Sequence, residues 1–86
     1  MTRPMRAARE RLFKEQKGLC YYCETPMLLQ HGSQTKRSAT IDHIIPKSQG
    51  GSIGPTLNGV AACLACNRER GDKDARLFLL GKRGLL

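Results

Sequence analysis

Two sets of side chains in this sequence have the types and spacing to do chemistry. Asp42 and His43 stand side by side in TIDHIIPKSQGG, residues 40–51. The cysteines form two pairs, Cys20-Tyr21-Tyr22-Cys23 and Cys63-Leu64-Ala65-Cys66. A CxxC pair on a tight turn presents two thiolates to one ion, and two such pairs complete a tetrahedral set. The cysteines therefore predict one structural Zn2+ held by Cys20, Cys23, Cys63 and Cys66. Disulfides are the competing use of the same residues. The N-terminal stretch MTRPMRAARERLF is charged and lacks the apolar segment of a signal peptide. An intracellular, reducing setting is therefore expected, and it favours metal.

Asp42 and His43 suggest hydrolysis of a phosphodiester. That reaction needs a base to take a proton from the attacking water, and imidazole suits the task near neutral pH. It also needs positive charge beside the phosphoryl and leaving oxygens, which a divalent cation supplies. His43 answers the first need. Asp42 can hold the cation, and Asn67, directly after Cys66, offers a second oxygen. In an extended backbone, adjacent side chains leave on opposite faces. That arrangement suits in-line displacement, because base and metal address opposite sides of the phosphorus. Each residue alone also has an ordinary explanation: an Asp-His dipeptide is commonly incidental, and an Asn there can help to cap a helix. His31, in a polar stretch, is expected simply to be exposed.

These residues need elements to position them. Eighty-six residues allow one thin domain, with only Phe13, Phe78, Tyr21 and Tyr22 as aromatics. Such a chain buries little apolar surface, so a metal is expected to replace missing core. Residues 4–17 read as a helix: Pro4 suits a first turn, Met5, Ala8 and Leu12 recur at helical spacing, and Gly18 ends it. Residues 24–38 read as a hairpin or loop, 38–42 as a short strand rich in β-branched residues, and Pro46 with Gly50-Gly51 as a loop. A second strand is expected over 57–62 and a helix over 64–70, closed by Gly71. A last helix, about 73–81, would be capped by Asp72 or Asp74.

The net charge of +8 gathers toward the two ends, Arg3 to Lys17 and Arg68 to Arg83. A polyanion, most simply nucleic acid, is the economical partner. No run approaches the ~18 apolar residues of a membrane span.

In order along the chain stand Cys20xxCys23, then Ile41-Asp42-His43-Ile44-Ile45-Pro46-Lys47-Ser48 with Gly50-Gly51, then Asn58, and last Cys63xxCys66-Asn67. This series, spanning residues 19–71, resembles the zinc-stabilised HNH endonucleases. The resemblance implies a small α+β fold over 1–86: a ββα-metal finger stapled by the four-cysteine zinc site and flanked by N- and C-terminal helices. It implies metal-dependent cleavage of DNA, with His43 as general base and Asp42 and Asn67 as ligands of the catalytic metal. Asn58 would orient the loop bearing the base. Three departures stand out. Asn67 replaces a final His, making an HNN variant whose Asp-Asn pair favours Mg2+ or Mn2+. Gly59 follows Asn58 where an apolar residue is usual. Arg70, with Lys73 beyond it, stands where a lysine is often found; these two and Lys47 are the expected phosphate contacts. The resulting expectation is a DNA nicking activity of low sequence specificity, since phosphate contacts carry little sequence information. The alternative is a non-catalytic, zinc-stabilised nucleic-acid-binding module.

Overall fold

The computed structural model describes residues 4–29, 34–44 and 59–85. Asn58, Lys47, His31 and the Pro46 to Gly51 loop lie outside the described residues, as does the side chain of Met5. Helix α1 (Pro4–Glu15) is followed by strand β1 (Ala39–His43), strand β2 (Gly59–Cys63), helix α2 (Leu64–Arg70) and helix α3 (Ala75–Lys82).

Helix α1 buries Ala8 and Leu12 and leaves Arg6, Arg11, Lys14 and Glu15 exposed, with Arg6–Glu10 and Arg11–Glu15 paired across one turn at 3.5 Å. It stops at Lys17 and Gly18, with φ of 56° and 75°, where the Gly18 N–H closes back on the Phe13 carbonyl at 2.8 Å. A Cβ at Gly18 would lie 3.2 Å from the Phe13 ring, so glycine serves both the turn and the packing.

The strands pair antiparallel with Asp42 opposite Val60 and His43 opposite Gly59. Strand β1 starts and ends one residue later than expected, so the extended backbone runs through His43. Gly59 begins β2 instead of interrupting it. Cross-strand partners share a face, so the residue beside the imidazole is one without a side chain. Among the described residues of 24–38, two isolated bridges tie the chain down. Pro26 bridges to Leu19, and Leu28 makes a parallel bridge to Ser38.

The outer edge of β2 is covered by a side chain. The Gln16 amide donates to the Ala61 carbonyl at 2.8 Å and accepts from its N–H at 2.9 Å, as a neighbouring strand would. Tyr21 N–H adds a second donor to that carbonyl at 3.0 Å. This fastens the end of α1 to the sheet.

The core is thin, as the composition demands. Ala39, Ala61 and Ala62 let backbones approach closely, and Tyr22 is the largest fully buried side chain. Its ring meets Phe78 of α3 and Tyr21 edge-on, with centroids 5.0 Å and 5.2 Å apart. Asp74, not Asp72, caps α3 by accepting from the Leu77 N–H at 3.0 Å.

Candidate active site and metal centre

The four thiols converge where the chain turns after α1 and where β2 becomes α2. They are free of disulfides, and their sulfurs all lie within 4.8 Å of one another, with Cys23 and Cys63 3.9 Å apart. A tetrahedral zinc with bonds of about 2.3 Å would set the sulfurs about 3.8 Å apart, so the cluster fits one such ion after slight contraction. Backbone donors already face it: Tyr22 N–H and Cys63 N–H point at Cys20 Sγ from 3.4 Å and 3.3 Å. Arg37, which no sequence pattern marked, donates to Cys63 Sγ at 3.0 Å and offsets the charge of a thiolate cluster. Burial pushes the Cys20 and Cys66 thiols up. Burial opposes ionisation of Cys23 as well, but hydrogen bonds from Thr25 and from the Cys20 and Cys66 thiols outweigh it and bring that group down to about 6.

This cluster also positions α2. Cys63 ends β2 and precedes the helix, and Cys66 lies in its first turn, so metal and sheet hold the same segment from two sides. The first free N–H groups of α2 donate to the carbonyls of Ser38 and Lys36, at 2.9 Å and 3.1 Å. Helix α2 is thereby laid along the outer edge of β1.

Asn67 and Arg70, one helical turn apart, face that edge. The Asn67 amide nitrogen donates to Thr40 Oγ1 at 2.9 Å and to the Ile41 carbonyl at 3.4 Å, and its side-chain oxygen has no partner among the described residues. Arg70 Nη1 lies 2.7 Å from Asp42 Oδ1 and 2.8 Å from Oδ2, and also donates to the His43 carbonyl at 3.1 Å. Arg70 Nη2 reaches the Ile44 carbonyl at 3.2 Å, and Nε reaches that of Lys73 at 2.9 Å. Tyr22 donates its hydroxyl to Asp42 Oδ2, and burial together with this carboxylate raises the Tyr22 phenol well above its ordinary value.

The expected site residues thus fare differently. Asp42 and His43 end β1, and Asn67 of α2 is held against Thr40 and Ile41 of the same strand. Asp42 is buried, and its carboxylate accepts from Arg70 and Tyr22. His43 leaves the opposite face of β1, half-buried, and its Nε2 is shielded with no hydrogen-bond partner among the described residues.

Arg70 requires a correction. Expected at phosphate, it is only 3% exposed and its contacts run inward, because a buried carboxylate demands a cation that can also satisfy nearby carbonyls. Lys73 remains on the surface, its Nζ 3.2 Å from the Glu69 carbonyl. Near it, Lys82 pairs with Glu69 at 2.6 Å, and Arg83 donates to the Tyr21 carbonyl at 2.6 Å. Some of the expected basic surface is therefore spent within the fold.

Tyr22 was legible only as an aromatic within a CxxC pair. A buried tyrosine must place its hydroxyl on a partner, but nothing in the sequence says that the partner is Asp42. As a cation site, Asp42 and Asn67 offer hard oxygens, the donor chemistry of Mg2+ or Mn2+. Among the described residues Asp42 Oδ1 accepts only from Arg70, so an acceptor position remains on it.

In comparison with known proteins, the family model for HNH endonuclease matches residues 20–73. No curated protein and no solved structure matches the chain.

Proposed function

Because the chain belongs to the HNH endonuclease family, we propose that it is an active, metal-dependent DNA endonuclease that hydrolyses phosphodiester bonds. The observation that carries this reading is the state of His43. Its Nε2 is shielded and unpaired among the described residues, at the end of a strand where the Asp42 carboxylate and the Ile41 carbonyl do have partners. With no partner among the described residues, the Nε2 position is uncommitted, and we assign His43 as the general base acting on the attacking water.

Asp42 and Asn67 would hold one Mg2+ or Mn2+. When bound, such an ion neutralises charge growing on the phosphoryl and leaving oxygens. The opposite faces of β1 keep base and cation apart, as in-line attack requires. Asn58, immediately before β2, is assigned to orienting the loop that follows His43. Lys73 and the other exposed basic residues, with Lys47, supply phosphate contacts. With one set of residues per chain, a nick in one strand is the simplest event, and phosphate contacts give it low sequence specificity.

The test is cleavage of supercoiled plasmid with Mg2+ or Mn2+ by the wild-type and His43→Ala proteins. The variant should lose cleavage while keeping its zinc and its salt-dependent DNA binding. Wild-type protein that binds DNA and never cuts it would return the reading to a zinc-stabilised binding module.

A further inference from the structure

We infer that Arg70 is a positioning residue that holds the Asp42 carboxylate and the chain around His43 in register, and that it keeps divalent-cation affinity low until DNA is bound. The inference rests on the endonuclease reading above.

Arg70 Nη1 sits nearly equidistant from the two carboxylate oxygens, 2.7 Å and 2.8 Å away, where a cation bound to both would lie. Tyr22 occupies a further acceptor position, on Oδ2. Each carboxylate oxygen has about two lone-pair sites, so, counting the contacts of the described residues, a cation can approach Asp42 through Oδ1, beside a guanidinium of like charge. Both side chains are largely removed from water, at 4% exposure for Arg70 and 9% for Asp42, so that repulsion is weakly screened. A DNA phosphate arriving at the site brings the negative charge that offsets it. Ion and DNA should therefore each strengthen the binding of the other, by the same factor.

The remaining contacts of Arg70 explain why the residue is retained despite this cost. It donates to the carbonyls of His43 and Ile44, the two residues at which the chain leaves β1, and to that of Lys73 beyond α2. Lysine carries the same charge but lacks the planar fork that reaches several acceptors at once. Charge and geometry can thus be separated by substitution.

The experiment is an Mn2+ titration of zinc-loaded protein, read by the electron paramagnetic resonance of free Mn2+, with and without a short DNA duplex. Without DNA, Arg70→Gln should bind Mn2+ at least about tenfold more tightly than wild type, the lower end of what a unit charge 4–6 Å away does to a carboxylate. Arg70→Lys should stay near wild type, and wild-type affinity should rise when the duplex is added. An Arg70→Gln protein that binds Mn2+ no better than wild type, or a wild type indifferent to DNA, overturns the inference. If Arg70→Gln fails to retain zinc, Arg70→Met, which also removes the charge beside Asp42, takes its place, and unchanged affinity there overturns the inference equally. Absence of cleavage by wild type would count against the endonuclease reading, whereas the order of Mn2+ affinities decides the role of Arg70 by itself.

Discussion

Removing the Asp42 carboxylate should cost stability as well as activity, and the cost should depend on Arg70. In Asp42→Ala the guanidinium, 4% exposed, would lose the partner that it meets at 2.7 Å. Two unit charges about 4 Å apart interact by about 4 kcal/mol at the effective dielectric that describes such sites. Breaking a buried pair from one side costs about 3–5 kcal/mol, because the remaining charge stays buried. The loss is large for a small domain, yet zinc binding worth roughly 10–16 kcal/mol should keep the variant folded. Arg70→Met should cost a similar amount. The double variant Asp42→Ala/Arg70→Met removes both charges, so it should fall short of the sum of the singles by about 2 kcal/mol or more. Urea unfolding of the four zinc-saturated proteins measures the cycle. Additivity within about 0.5 kcal/mol would refute the claim that these two groups form one coupled buried unit.

Other consequences follow from the same geometry. A strong zinc chelator should unfold the protein, while mild EDTA should stop cleavage first because two oxygens hold an ion weakly; loss of fold and activity at the same chelator level would contradict two separate metal sites. Arg37→Ala removes the donor 3.0 Å from Cys63 Sγ and should speed zinc release several-fold, as a colorimetric zinc indicator would show. Gln16→Ala strips the Ala61 backbone of its side-chain partner and should cost about 1–3 kcal/mol in the same urea assay. The Cys23 thiol lies at about 6, below its ordinary 9.0, so the stabilisation from its thiolate is complete above 9.0 and is lost as pH falls through about 6. Zinc binding needs the thiolates, so zinc retention should weaken in acid, and occupancy unchanged in more acidic buffer would speak against it.

Much of the molecule was legible in one dimension because the relevant forces act locally. Gly18 had to end α1, since the closing turn needs a positive φ. The cysteine pairs specify a ligand set by spacing alone, and helix α2 has the expected bounds because the second knuckle starts it and Gly71 stops it. Asp42 and His43 leave opposite faces as alternation in a strand requires, and Asn67 meets the same strand, at Thr40 and Ile41, because it follows Cys66 on the helix that the knuckle holds.

What tertiary structure alone decided is the company each of these residues keeps. Arg70 looks on paper like one more surface cation. It becomes a buried partner of Asp42 only because α2 lies against the outer edge of β1, where unpaired carbonyls and a carboxylate await a donor. Tyr22, Gln16 and Arg37 acquire their roles in the same way, from partners 20, 45 and 26 residues away in the chain. Residue type and spacing set what chemistry the site can hold. Which charges meet, and how much water is left between them, depends on contacts between distant segments that no local pattern encodes.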